Sequence, residues 1–81
     1  MGEPMNKYKV VLSRAGRDKN SLLVIVGEEN GFCYLCNGKE RPLSNPKRKN
    51  VRHIAFTNYS LNSDDIQSNK SLRSALKRCK Q

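Results

Sequence analysis

The longest apolar run in the chain is Leu22-Leu23-Val24-Ile25-Val26, and it constrains what the rest can become. Bounded by turn-forming Asn20 and by Gly27, it has the length of a strand rather than of a helix. Val24, Ile25 and Val26 are β-branched, which stiffens the side chains and suits a pleated backbone. An unbroken run has no polar face, so such a strand needs cover on both sides. The 81 residues allow one small domain. A chain of this size buries only about 60–65% of its extended surface, so its core must come from few segments. A large enzyme with a separate lid and cofactor domain is excluded.

Shorter segments of the same kind flank the run. Residues 8–14 form a strand rich in β-formers, and residues 15–20 a polar turn in which Gly16 and Asn20 tolerate left-handed backbone. Asn30-Gly31 is a tight-hairpin signal ahead of a third strand, Phe32–Cys36. Asn37-Gly38 repeats the signal, which predicts a fourth strand at residues 39–43, held to an edge because Pro42 cannot donate to a ladder. Residues 44–50 read as a basic loop and residues 51–57 as a fifth strand. The inward face of that strand is ambiguous: Ile54 and Phe56 alternate on one side, Val51, His53 and Ala55 on the other. Five short, closely spaced strands indicate a strongly bent β-barrel or sandwich.

The tail changes period. Leu72, Ala75, Leu76 and Cys79 fall at i, i+3, i+4 and i+7, one stripe of a helix that must dock to be stable, with the barrel as the simplest partner. Asn69 is the expected cap, Asp64 and Gln67 an expected capping box one turn earlier. Lys77, Arg78 and Lys80 complement the dipole at the helix end.

No segment approaches the roughly 18 apolar residues that span a bilayer. Residues 1–4 carry an acid and a proline and lead into nothing hydrophobic, which argues against a signal peptide. Three cysteines close no disulfide framework. Reduced thiols in the cytoplasm are the expectation. Cys33-x-x-Cys36 resembles half of a metal site, yet residues i and i+3 of a strand point to opposite faces. Small apolar strand residues are the simpler reading, and no metal or cofactor is expected. Neither a phosphate-binding glycine fingerprint nor a catalytic triad around the lone His53 is legible. No enzyme activity is expected.

Charge is the informative feature. Sixteen Lys and Arg oppose seven Asp and Glu, for a net +9. Arg14, Arg17 and Lys19 flank the first turn. Lys39, Arg41, Lys47, Arg48, Lys49 and Arg52 follow within fourteen residues, opposed by Glu40 alone. Clustering of this kind is the electrostatic footprint of a polyphosphate binder; a solvated face is the plainer alternative. His53 sits beside the second cluster, either structural or in contact with phosphate or base.

The order of three blocks adds to this. Ser13-x-Ala15-Gly16-Arg17-Asp18-Lys19, then Asn37-Gly38-Lys39-x-Arg41-Pro42-Leu43, then Asn45-Pro46-Lys47-Arg48-Lys49-Asn50-Val51-Arg52-His53, resembles small bacterial KOW-domain RNA-binding proteins. These are similar to the archaeal and eukaryotic large-subunit ribosomal proteins of the fourteen-e type. The resemblance covers residues 8–57, with a looser match in the terminal helix. Asn20 and Lys9 depart from it, standing where glycine is usual. It implies an SH3-like barrel, and with the residue reading above this divides a mainly β chain into a flexible leader at 1–7, the barrel at 8–58, and a linker and packing helix at 59–81. It also implies binding of structured RNA, ribosomal RNA first, through Arg14, Arg17, Lys19, Lys39, Arg41, Lys47, Arg48, Lys49, Arg52 and His53. Ribosomal proteins are further partners on this reading; a membrane or a small-molecule substrate is not. The alternative is a protein-interaction module that docks on a ribosomal or transcription-machinery protein.

Overall fold

The computed structural model describes residues 8–79, with Asp18 followed along its backbone only. The expected leader at residues 1–7, and Lys80, lie outside the described residues. The strands are β1 (Lys9–Ser13), β2 (Leu22–Glu29), β3 (Phe32–Cys36), β4 (Lys47–Asn50) and β5 (Ile54–Ser60), followed by helix α1 (Asn69–Cys79). Short 3-10 turns occupy Gly16–Asp18, Val51–His53 and Ser63–Ile66. All strand pairs are antiparallel, in the order β4-β3-β2-β1-β5.

That order forces curvature. Strands β4 and β5 lie at opposite edges of the sheet yet are joined by the three residues Val51–His53. Across a flat sheet the edges stand roughly 19 Å apart, whereas three 3-10 residues rise only about 6 Å. The sheet therefore curls toward closure into a small SH3-like barrel. Two irregularities help it bend, one in β1 between Lys9 and Val11 and one in β2 between Ile25 and Gly27.

Strand β2 is buried on both faces, as its unbroken apolar run requires. Val11, Leu23, Ile25, Cys33, Leu35 and Ile54 fill the barrel interior. Val10, Val24 and Cys36 meet Leu72, Leu76 and Cys79 of α1 on the other side. The helical stripe docks as its period predicts, with Ala75 also buried. Cys33 and Cys36 fall in these two separate clusters, so their sulfurs lie on opposite faces of β3. On β5, Ile54 takes the core side, while Phe56 remains 46% exposed.

Residues 39–43 do not form a strand. The Asn37 side-chain oxygen accepts hydrogen bonds from the backbone N–H groups of Lys39 (2.9 Å) and Arg41 (3.0 Å). Pro42 has no N–H, and Leu43 donates to the Asn69 side chain at 2.8 Å. Every donor a ladder would use is already engaged or missing. The Asn37-Gly38 pair accordingly closes a loop on itself, through Asn37 and Gly38 N–H groups that donate to the Arg41 carbonyl. The fourth strand is Lys47–Asn50, inside the segment expected to be a loop. Its pairing with β3 outweighs its polar composition. The fifth strand starts three residues later than expected, after the 3-10 turn Val51–His53.

Helix α1 is capped by Ser68, whose hydroxyl accepts from Ser71 N–H at 3.0 Å, and not by Asn69. The capping box belongs to Asn62 and Asp65; Asp64 and Gln67 share only a side-chain contact at 3.4 Å. No helix among the described residues is long and apolar enough to cross a membrane.

Candidate nucleic-acid interface

The turn between β1 and β2 is built from its backbone outward. Gly16 (φ +79°) and Asn20 (φ +70°) take the left-handed conformation expected of them. Asn20 N–H donates to the Ser13 carbonyl at 2.8 Å, and Lys19 N–H to that of Gly16 at 3.2 Å. This fixes the backbone of a turn that leaves Arg17 and Lys19 exposed.

Two other elements reach this turn. From β4, the Lys49 ammonium donates to the Ala15 carbonyl at 3.0 Å, an oxygen that also accepts from the Ser13 hydroxyl. An ammonium carries three donors, and one is spent here. From the turn Val51–His53, the His53 carbonyl accepts from Arg14 N–H at 2.8 Å. The Lys49 ammonium and the backbones of Arg14 and His53 thereby meet at the Ala15–Gly16 end of the barrel, with exposed Arg52 next to His53 in the chain. Arg41 joins from the 37–46 loop, where it lines a hollow with Arg17, Ser21 and Glu40.

The remaining candidates are placed differently. Lys47 lies on the same side of β4 as Lys49 and is half-buried opposite Leu35. Lys39 faces a groove beneath α1, with Asn20, Asn37, Arg73 and Lys77. Arg48 points to the other face of β4. Its guanidinium stacks 4.0 Å from the centre of the Phe32 ring, beside a hollow formed with Glu29, Asn30 and Tyr34. Tyr34 donates to Glu29 at 3.0 Å; that bond, then burial and the Glu29 charge, raises the phenol pKa, opposed by Arg48. Arg48 is thus separated from the rim that its sequence neighbours share.

Acidic groups border this end of the barrel. Glu28 and Glu29 end β2 at the hairpin that meets the turn Val51–His53, where Val51 N–H donates to the Gly31 carbonyl at 3.0 Å and both glutamates line a hollow with Val51. Asp65 pairs with Arg78 at 3.2 Å. Glu40 lies beside Arg17 and Arg41. Its own backbone N–H and the Asn37 amide, followed by the charges of Lys39 and Arg41, hold its carboxyl below the usual range.

Arg73 and Lys77 were not among the candidates from sequence. They sit four apart on α1, so a helical period applied to charge, as it was to the apolar stripe, finds them. Among the described residues, no group of three or more His, Cys, Asp or Glu gathers to hold a metal ion. Burial raises the pKa of all three thiols, that of Cys36 to about 11. No family model matches the chain, and no curated protein matches it either. What the fold and the surface define is a small SH3-like barrel with a cationic rim.

Proposed function

We propose that this protein binds structured RNA, as a cytoplasmic, ribosome-associated, KOW-type domain without catalytic activity. The observation that carries the reading is the bond from the Lys49 ammonium of β4 to the Ala15 carbonyl, in a turn flanked by exposed Arg14 and Arg17 and tied through Arg14 N–H to the turn that bears exposed Arg52. A rigid barrel that holds its cations in place lowers the ordering cost of binding. Arginine forks clamp phosphate oxygens in pairs, and lysines act as point charges. The deep groove of an RNA helix hides its base edges, so shape and backbone are what such a rim reads. Ribosomal RNA is the favoured partner, on the resemblance of the three sequence blocks.

The test is titration of a labelled RNA hairpin at several salt concentrations. Four or so rim contacts give a log–log slope of about −3 to −4, and further contacts steepen it. Joint replacement of Arg14, Arg17 and Arg52 by glutamate is expected to remove binding with little change in melting temperature, since all three side chains are exposed. Binding that is flat in salt, or indifferent to these changes, overturns the reading.

A protein-docking role is the second reading. It is favoured by Phe56, Val51 and Tyr59, large hydrophobic residues left 46%, 37% and 37% exposed. On that reading, polar replacements at these three positions abolish partner capture and the arginine changes do not.

A further inference from the structure

The groove beneath α1 is a cavity of about 370 Å³, lined by residues that include Lys39, Arg73 and Lys77 from two elements remote in sequence. Asn20, Ser21 and Asn37 add neutral polar groups to its wall. Its geometry is braced. The Arg73 guanidinium donates to the Gly38 carbonyl at 2.8 Å, which ties the helix to the 37–41 turn. Gly38 itself is pressed against α1: a Cβ there would stand 2.5 Å from the Asn69 carbonyl oxygen and 3.1 Å from Arg73 Cγ. The cations are therefore presented by a clamped joint, which reduces what ordering them on a ligand would cost.

This groove shares Ser21 and Glu40 with the hollow lined by Arg17 and Arg41. The two are contiguous, and among the described residues together they carry five cations against one carboxylate. Glu40 is already engaged by the Asn37 amide at 3.2 Å, which blunts its repulsion. A chain of negative charges laid from the rim meets cations all the way to the helix.

From this continuity we propose that the RNA path runs beyond the barrel rim: the phosphodiester backbone crosses the 37–41 turn and ends in the α1 groove, on Lys39, Arg73 and Lys77. The proposal rests on the RNA reading and assigns the helix a binding role in addition to its packing role. The ligand it takes is a continuous phosphate backbone long enough to reach both sites.

The experiment uses the full chain and a fluorescein-labelled RNA hairpin with a fully paired stem. The R73Q/K77Q pair is expected to weaken binding about a hundredfold at 0.15 M salt, each lost charge-assisted bond counting for about a factor of ten. It also makes the salt slope shallower by about 2. K70Q, on the same helix outside the groove, leaves both unchanged. Because Arg73 also braces the turn, K39Q/K77Q provides a second pair that keeps that brace and is expected to behave alike. Amide signals of Asn20, Ser21, Lys39 and Lys77 in the unaltered protein should shift as RNA is added. If the unaltered protein binds and both pairs match it in affinity and slope, the groove assignment is overturned while the rim reading stands. If the unaltered protein does not bind the hairpin at any salt, both fall together.

Discussion

Gly38 and Gly16 share a backbone angle (φ +79° for each) and differ in surroundings. Alanine at either is strained by roughly 1–2 kcal/mol, because the left-handed region crowds a Cβ. At Gly16 the added carbon meets only the flexible end of Lys49, at 3.7 Å. At Gly38 it meets main chain at 2.5 Å. Urea titration is expected to place G16A about 1–2 kcal/mol below the parent and G38A at least about 3 below it, the excess reporting the joint with α1. The buried thiols supply a second prediction at this scale. Burial lifts Cys36 from the ordinary 9.0 to about 11, and raises Cys33 and Cys79 as well. Between those values the folded chain holds protons that the unfolded chain has lost, so the stabilisation is complete below about pH 9 and drains away toward pH 11. The urea midpoint should fall from pH 8 to pH 10, and less steeply in C36A.

At the scale of elements, the joint between α1 and the 37–46 loop rests on side chains with separate tasks. Ser68 caps the helix, while Asn69 holds Leu43 N–H at 2.8 Å. S68A should cost about 1 kcal/mol and fray the first turn of α1. N69A should cost a similar amount and speed hydrogen exchange at Leu43 without loss of helix. These two residues also mark where sequence reading reaches its limit. The apolar run of β2, the stripe of α1 and the Asn30-Gly31 turn are governed by period and local backbone preference, and they are legible. The identity of β4 is not. Residues 39–43 lose their ladder donors to Asn37 and to Asn69, the latter distant in sequence, and no local pattern encodes that capture. Lys47–Asn50 becomes a strand only because β3 offers it a free edge.

For the molecule as a whole, the same long-range effect decides which cations act together. Arg14, Arg17 and Lys19 are close in sequence and stay close in space. Lys47, Arg48 and Lys49 are adjacent in sequence, yet strand alternation sends Arg48 to the face opposite Lys49. A charge run counts cations without their direction, so it groups Arg48 with the rim and misses Arg73 and Lys77. The separation has a measurable result. R48Q should leave the affinity and salt slope for the RNA hairpin near those of the parent, whereas R17Q should make the slope shallower by about 1.

Strand β4 keeps its station through main-chain pairing with β3, reinforced by the Lys49 bond to the Ala15 carbonyl and by the Asn50 side chain, which accepts from Arg52 N–H at 2.9 Å. Architecture there rests on the main chain and on two of the four side chains, and the exposed Arg48 carries surface chemistry. Such a strand is a natural substrate for divergence: mutation can rewrite its outward message while the scaffold persists, so descendants of one barrel could acquire new targets without passing through an unfolded ancestor.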